Sequence, residues 1–184
     1  MNYAVPDHGS IILERPEGLS VRYGGWLLSV WGGPVHDELL AATTRGVEVA
    51  AAEHGGPIAI MTRHRADPRF PLGVDFASNL PNIRRAMVRI RPAIRASATI
   101  VDFDGFIAKT MDLAVSALSR LALPGIPMRV CSSSVDAAKW LLEVTEPTAP
   151  SVNLRALVRA ATEVEALYQE RRSGWAAGAS AKPI

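Results

Sequence analysis

Two aspartates, Asp102 and Asp104, follow an apolar run in the stretch TIVDFDGF, which extends from Thr99 to Phe106. A carboxylate at the end of a strand can attack a phosphoryl group, and a second carboxylate two residues later can protonate the leaving group. The same reaction needs a hydroxyl and an ammonium group to hold the phosphoryl group, for which Ser132 and Lys139 are candidates. It also needs further carboxylates to complete a Mg²⁺ site. The spacing of the two aspartates therefore raises phosphoryl transfer as one hypothesis.

The phosphoryl-transfer hypothesis has a plain structural alternative. Aspartate is a preferred N-cap, so Asp104 is predicted to cap the helix that follows it, whose apolar stripe begins at Ile107. Beyond Ser132, the acidic residues Asp136 and Glu143 fall within a predicted helix and not at the end of a further strand. We therefore favour a strand end followed by a helix cap, and we assign no catalytic residue. A small Mg²⁺-dependent phosphohydrolase of haloacid-dehalogenase type is kept as the alternative.

Arginine side chains are concentrated in one segment of the chain. Of the 20 basic residues 17 are arginine, and eight of these lie between residues 63 and 95, against only Asp67 and Asp75. Guanidinium groups form bidentate bonds with carboxylates and phosphates, so this segment is predicted to contact a protein partner, in particular an acidic one. Nucleic acid is less favoured, because only Phe70 and Phe76 are interleaved with the arginines. A solvated arginine-rich surface without a partner is the alternative.

The remaining reactive side chains point to no metal site and no cofactor. The four histidines have no partner among themselves at a spacing of three or four residues, so no metal ligands are predicted. Cys131 precedes three serines at a predicted helix start, where an outward-facing thiol would have a lowered pKa. A buried structural cysteine is the commoner arrangement, and we predict it here.

Length and composition favour one domain with a short appendage. A chain of 184 residues with 48% hydrophobic content can bury one substantial core. The N-terminal segment MNYAVPDHGSIILERPE lacks the basic region and the apolar core of a signal peptide, and no run approaches the ~20 apolar residues that cross a bilayer. With a single cysteine in the chain, a reducing, cytoplasmic location is the prediction.

Strand and helix patterns alternate along the sequence. The segments SIILE and LSVRYGGWLLSVW are rich in β-branched and aromatic residues, which predicts an antiparallel hairpin or a three-stranded meander. Helix and strand patterns then alternate to residue 144, which predicts right-handed crossovers and an α/β fold with a mixed sheet of about five strands. The predicted elements after the hairpin are a helix ended by Gly55 and Gly56, a strand over Pro57–Thr62, a loop over Arg63–Pro81, a helix over Asn82–Arg91, a strand over Ala96–Phe103, a helix over 104–121, a strand over Met128–Cys131 and a helix over Val135–Val144.

The pattern divides the chain into four parts. Residues 1–144 are predicted to form the α/β domain, and residues 145–150 a proline-containing linker. Residues 151–172 are predicted to form an amphipathic helix capped by Ser151, whose apolar face can dock on the chain's own sheet or on another chain. A homo-oligomer is therefore one expectation. Residues 173–184 are predicted to be a disordered tail.

Four successive segments together resemble the STAS domain. They are WLLSVWGGPV, GGPIAIM, ATIVDFDGFIAKTMDLAVSALSRL and PMRVCSSSVDAAKWL. More narrowly, they are similar to the STAS-like (SpoIIAA-like) proteins of myxobacteria and their relatives, over roughly residues 10 to 144. The resemblance to anti-sigma-factor antagonists implies a phosphorylatable Ser or Thr at the start of the helix after Phe103. This chain has Asp104 there, with Thr110 a turn later. Asp104 could act as a fixed negative charge at the helix N-terminus.

Residue types and resemblance together predict a non-enzymatic regulatory or scaffold module that binds a protein partner. A binder of a small or lipidic anion, with the arginines supplying the charge, is a further alternative. The predicted contact residues are Arg63, Arg65, Arg84, Arg85, Arg89, Arg91, Asp104 and Thr110.

Overall fold

The structure, a computed structural model, describes residues 9–33, 36–65, 72–102, 116, 123–145 and 153–180. It confirms the predicted α/β class, because a six-stranded mixed sheet begins with an antiparallel hairpin and carries helices on both faces. The strands are β1 (Ser10–Arg15), β2 (Gly18–Tyr23), β3 (Trp26–Trp31), β4 (Ile58–His64), β5 (Ile94–Val101) and β6 (Met128–Cys131). The helices are α1 (Asp37–His54), α2 (Leu72–Ile90), α3 (Ser134–Thr145) and α4 (Leu154–Ser180), with a 3₁₀ turn at Arg91–Ala93. No helix in these ranges is long and apolar enough to span a membrane.

The six strands lie in chain order across the sheet. β1, β2 and β3 form an antiparallel meander, and from β3 onward each strand pairs in parallel with the next. The turn between β2 and β3 places Gly24 at a φ of 58°, in the left-handed region that glycine adopts without a Cβ penalty. Because β3 to β6 run in the same direction, their carboxyl ends form one edge of the sheet.

The order of the strands decides which face each helix covers. Right-handed crossovers between strands that are added in one direction place their helices on the same face of the sheet. α1 and α2 accordingly pack on one face, in a core that contains Leu27 and Ile58 from the sheet, Val47 from α1 and Ile90 from α2. Among the described residues, the helices that follow β6 pack on the opposite face.

α3 and α4 cover that opposite face. Its core joins Leu28 and Met61 of the sheet to Leu157 and Tyr168 of α4, and these side chains are almost fully buried. The Tyr168 hydroxyl donates a hydrogen bond to the carbonyl of Pro16 at 3.2 Å, so the helix also reaches the β1–β2 turn. The apolar face of the C-terminal helix is therefore buried against the chain's own sheet.

α4 has different ends from those expected. The sequence-based helix began after a Ser151 cap and ended at residue 172, whereas the helix in the structure extends from Leu154 to Ser180. Its N-cap is Asn153, whose Oδ1 accepts a hydrogen bond from the backbone N–H of Arg155 at 2.8 Å. The glycine near the expected end costs a helix only about 1 kcal/mol, and the alanine-rich sequence around it favours continuation.

The expected loop over Arg63–Pro81 is wrong in its second half, because α2 begins at Leu72. The loop prediction rests on the prolines of this segment and on its lack of a clear period, and Pro81 lies inside the helix. A proline in a helix removes one backbone hydrogen bond, but a continuous apolar stripe can outweigh that loss. The described side chains of α2 include such a stripe at Ile83, Met87 and Ile90, of which Ile83 and Ile90 are buried.

α1 ends at the two glycines predicted to end it. Gly55 adopts a φ of 78°, and the N–H groups of Gly55 and Gly56 bond to carbonyls of the last turn. At the other end His36 is the N-cap, and its Nδ1 accepts a hydrogen bond from the N–H of Leu39 at 3.3 Å. Both ends of α1 are thus set by local sequence, which fixes the point where β4 enters the sheet.

Candidate functional site

The carboxyl ends of β4 and β5 bring Arg63 and Asp102 side by side. The two strands pair to their last residues, and the backbone N–H of Asp102 bonds the carbonyl of His64 at 3.2 Å. The Arg63 guanidinium donates from Nε to Asp102 Oδ2 at 3.0 Å and from Nη2 to Oδ1 at 2.8 Å. The hydrogen bonds with Asp102 are the main reason that the pKa of Arg63 is raised. The first aspartate of TIVDFDGF is therefore held in an ion pair between neighbouring strands.

The C-terminal helix contributes a second carboxylate to this ion pair. Glu165 on α4 accepts from Arg63 Nη1 at 3.0 Å through one oxygen, and from Arg65 Nη1 through the other. Gln169, one turn later, is placed to accept from Arg65 Nη1 at 2.7 Å when its amide oxygen faces that arginine. We refer to Arg63, Arg65, Asp102 and Glu165 as the strand-end cluster.

The strand-end cluster can be reached from solvent. Its four side chains keep between 24% and 33% of their surface exposed. Beneath Arg63 the structure leaves a void of about 10 Å³, lined by Ser134 and by apolar side chains such as Met61 and Val164. That void is of the size of one water molecule. An external group could therefore meet the cluster only from its solvent side.

The remaining predicted arginines lie on or next to α2, which covers the opposite face of the sheet. Arg84 and Arg85 are exposed on the outward side of the helix, next to Val88, of which 53% is exposed. Among the described residues, no acidic side chain pairs with Arg84 or Arg85, although Arg85 Nη2 donates to Asn82 Oδ1 at 3.0 Å. We refer to Arg84, Arg85 and Val88 as the α2 face.

Arg89 and Arg91 flank the α2 face and are held by neighbouring elements. Arg89 donates to both carboxylate oxygens of Glu48 on α1, at 2.7 and 2.8 Å. This pair lowers the pKa of Glu48 and raises the pKa of Arg89, in both cases mainly through the hydrogen bonds between them. Arg91 Nη2 donates to the carbonyl of Pro124 at 3.1 Å. These two arginines add positive charge beside the face, but some of their donors are already used.

The structure thus separates the predicted contact residues into two groups. Arg63 and Arg65 point to the side of α3 and α4, while the arginines of α2 and the following turn lie on the side of α1. The other two predicted contact residues, Asp104 and Thr110, lie outside the described residues. In the part of the arginine-rich segment that the structure describes, the arginines therefore lie on two separate surfaces.

Sequence reasoning missed Glu165 and Gln169 as members of the site. Glu165 follows Val164 at the edge of the apolar stripe of α4. An acidic residue at such an edge is ordinary in an amphipathic helix, so its type and position gave no signal. Only the packing of α4 over the ends of β4 and β5 shows what it binds.

Ser132 and Lys139, the residues considered for phosphoryl binding, line a cleft between β6 and α3. The cleft has a volume of about 400 Å³, and Cys131 and Asp136 also form part of its wall. The Ser132 hydroxyl donates to Asp136 Oδ2 at 2.7 Å, within the serine cap of α3 that the sequence predicted. Burial raises the pKa of the Cys131 thiol, which is unfavourable for a nucleophile. Cys131 is a buried cysteine, as predicted.

His64 lies between the two cluster arginines in sequence but on the other side of the sheet. Side chains alternate along a strand, so its imidazole faces the side of α1 and α2. Burial lowers the pKa of His64 to about 4. The side chain is therefore neutral near pH 7 and adds no charge to the strand-end cluster.

In the described part of the chain, no three His, Cys, Asp or Glu side chains are grouped so as to hold a metal ion. Comparisons with protein-family models, with curated proteins and with solved structures find no match to this chain. Its function must therefore be inferred from its own surfaces.

Proposed function

We propose that this chain is a non-enzymatic regulatory module that binds an acidic protein partner through the α2 face. The observation that carries the proposal is the exposed pair Arg84 and Arg85 beside the exposed side chain of Val88. The resemblance to STAS-like proteins supports a regulatory role, since those domains act by binding other proteins.

The charge on this surface favours an acidic partner. Residues 79–93 contain four arginines and no acidic residue. Glu48 of α1 neutralises one of these arginines, Arg89, so three positive charges remain on the surface of α2 and the turn that follows it. Guanidinium groups bind carboxylates in a bidentate manner and are less strongly hydrated than ammonium groups, so they lose less on leaving water.

The apolar residues on the same surface favour a protein over a small anion. Leu80, Arg84 and Val88 are spaced by four residues and lie along one side of α2. Leu80 is 44% exposed and Val88 is 53% exposed. Protein interfaces combine arginine with apolar side chains in this way and are depleted in lysine. Residues 79–93 contain no lysine.

The strand-end cluster favours binding over hydrolysis as the role of this fold. An aspartate nucleophile needs an oxygen that is free to approach the phosphoryl group. Both oxygens of Asp102 accept hydrogen bonds from Arg63, at 2.8 to 3.2 Å. That ion pair would have to break before Asp102 could act as a nucleophile.

Reversing the charge of the α2 face tests this proposal. In the double variant Arg84→Glu/Arg85→Glu, we expect the amount of a co-purifying acidic protein to fall at least about tenfold, which corresponds to about 1.4 kcal/mol of binding free energy. The loss follows because carboxylates on the variant repel those of the partner. Quantitative mass spectrometry of proteins bound to the immobilised, nuclease-treated chain measures the change.

The matched control is Arg155→Glu/Arg159→Glu on α4, which makes the same change in net charge on the other side of the sheet. Both of these arginines are exposed, so the control should bind the partner as the unaltered chain does. Equal losses in the two double variants would show a general effect of charge. A partner retained by both variants would show that binding occurs elsewhere.

A further inference from the structure

Two arginines converge on one carboxylate in the strand-end cluster. Glu165 uses one oxygen for Arg63 and the other for Arg65, so each oxygen meets a separate guanidinium. Arg63 lies near the end of β4 and Arg65 directly follows that strand. The sheet therefore fixes the backbone of both arginines independently of α4. The arginine pair is thus built into the domain, whereas its carboxylate is supplied by a different element.

The charges of the strand-end cluster balance only while Glu165 is present. Two guanidinium groups face two carboxylates, and Asp102 is tied to Arg63 by a bidentate pair. Among the described residues, removal of Glu165 from the cluster would leave one positive charge, mainly on Arg65, without a counter-charge. A single external carboxylate or phosphate would restore the balance with the same geometry, because guanidinium groups bind both.

Glu165 can be exchanged without moving α4. Neighbouring side chains anchor the helix, since Val164 and Tyr168 are almost completely buried. The Glu165 carboxylate lies at the end of a flexible side chain that is 24% exposed. Rotation about its own side-chain bonds would carry it into solvent and leave the two guanidinium groups open on their solvent side.

The cluster lies at the carboxyl-end edge of the parallel strands. Ligands of open α/β sheets bind outside that edge, preferentially where the strand order reverses. Strands β3 to β6 lie in chain order without such a reversal, so strand order alone does not select this position. Arg63, Arg65 and Asp102 occupy the edge at the ends of the adjacent strands β4 and β5, and their side chains remain partly exposed to solvent. An external anionic group can therefore reach the two arginines from solvent.

We propose that Arg63 and Arg65 form a binding site for an anionic group, a carboxylate or a phosphate, and that Glu165 is its built-in occupant. The external anion exchanges with the Glu165 carboxylate and makes the same two guanidinium contacts. This site lies on the opposite side of the sheet from the α2 face. The proposal of an anion site is therefore tested independently of the proposed function.

The test uses the full chain and follows the Nε–H signals of Arg63 and Arg65 by NMR. Inorganic phosphate and acetate are titrated separately at constant ionic strength, into the unaltered chain and into Glu165→Gln. We expect Glu165→Gln to bind at least one of the two anions at least fivefold more tightly, with the largest shifts on Arg63 and Arg65. Phosphate and acetate affinities compared in this variant identify the preferred anion.

Two further variants show whether the effect belongs to this site. Glu163→Gln makes the same charge change on the same helix, where Glu163 lies 3.5 Å from Arg159, and it should leave the anion affinity unchanged. Arg65→Gln/Glu165→Gln should lose the gained affinity. The proposal is overturned if Glu165→Gln binds neither anion more tightly, or if Glu163→Gln gains as much. The unfolding midpoint of each variant confirms that a folded chain is measured.

Discussion

Replacement of Leu157 by aspartate is expected to abolish the cooperative unfolding transition of this protein. Leu157 has no exposed surface, and it packs in the core that α4 forms with the sheet. The substitution removes about 2–3 kcal/mol of apolar burial and places a carboxylate where the effective penalty for an unpaired charge is several kcal/mol. The sum approaches the whole stability of a typical domain, about 5–15 kcal/mol. Chemical denaturation followed by circular dichroism measures the effect.

The control for this substitution is Ala166→Asp on the same helix. Ala166 is exposed, so its replacement should change the free energy of unfolding by no more than about 1 kcal/mol, mainly through the lower helix propensity of aspartate. The two variants carry the same new charge on one helix. The difference between their free energies of unfolding therefore reports the burial of α4. If Leu157→Asp unfolded within about 1 kcal/mol of the unaltered chain, α4 would not be packed on the sheet in solution.

Acidification is expected to destabilise the protein through His64, by up to about 3 kcal/mol between pH 7 and pH 4. In the folded state burial holds the pKa of His64 at about 4, below the ordinary histidine value of about 6.5. Between these two values the unfolded chain binds a proton that the folded chain does not bind. Stability contributed by neutral His64 is therefore fully present above about pH 7 and is lost as the pH falls.

The difference between two pH profiles isolates the contribution of His64. The free energy of unfolding is measured from pH 8 to pH 4 for the unaltered chain and for His64→Gln, which cannot be protonated in this range. We expect the two curves to run in parallel above pH 7 and the unaltered chain to fall more steeply below it. Curves that stay parallel down to pH 4 would contradict a His64 that is neutral in the folded state.

The sequence predicted the framework of the domain because its signals are local. Local signals include the valine and aromatic residues of β2 and β3, Gly55 and Gly56 after α1, and the serines before α3. Each acts within a few residues of its own position. Such signals need no knowledge of the rest of the fold. The direction of the parallel strands followed from the alternation of helix and strand.

The loop prediction that was wrong and the site residues that were missed both depend on contacts between residues that are distant in the sequence. Pro81 alone favours a loop, but tertiary packing of the α2 stripe outweighs the one hydrogen bond that a proline removes. Nothing in the sequence distinguishes Arg63 from Arg85, yet Arg63 faces α4 and Arg85 faces solvent. The alternation of side chains along β4 determines the first orientation, and the packing of α2 on the sheet determines the second. Glu165 meets Arg63 across 102 residues of chain, a separation over which residue spacing carries no information.

Site-specific photo-crosslinking from the α2 face tests the central claim most directly. A photo-reactive amino acid is placed at Val88, and in a second protein at Ala166, which is also exposed but lies on α4. After illumination in nuclease-treated extract, we predict one acidic protein attached through position 88 and none of it through position 166. Attachment of that protein through position 166 alone, or equally through both positions, would contradict binding by the α2 face.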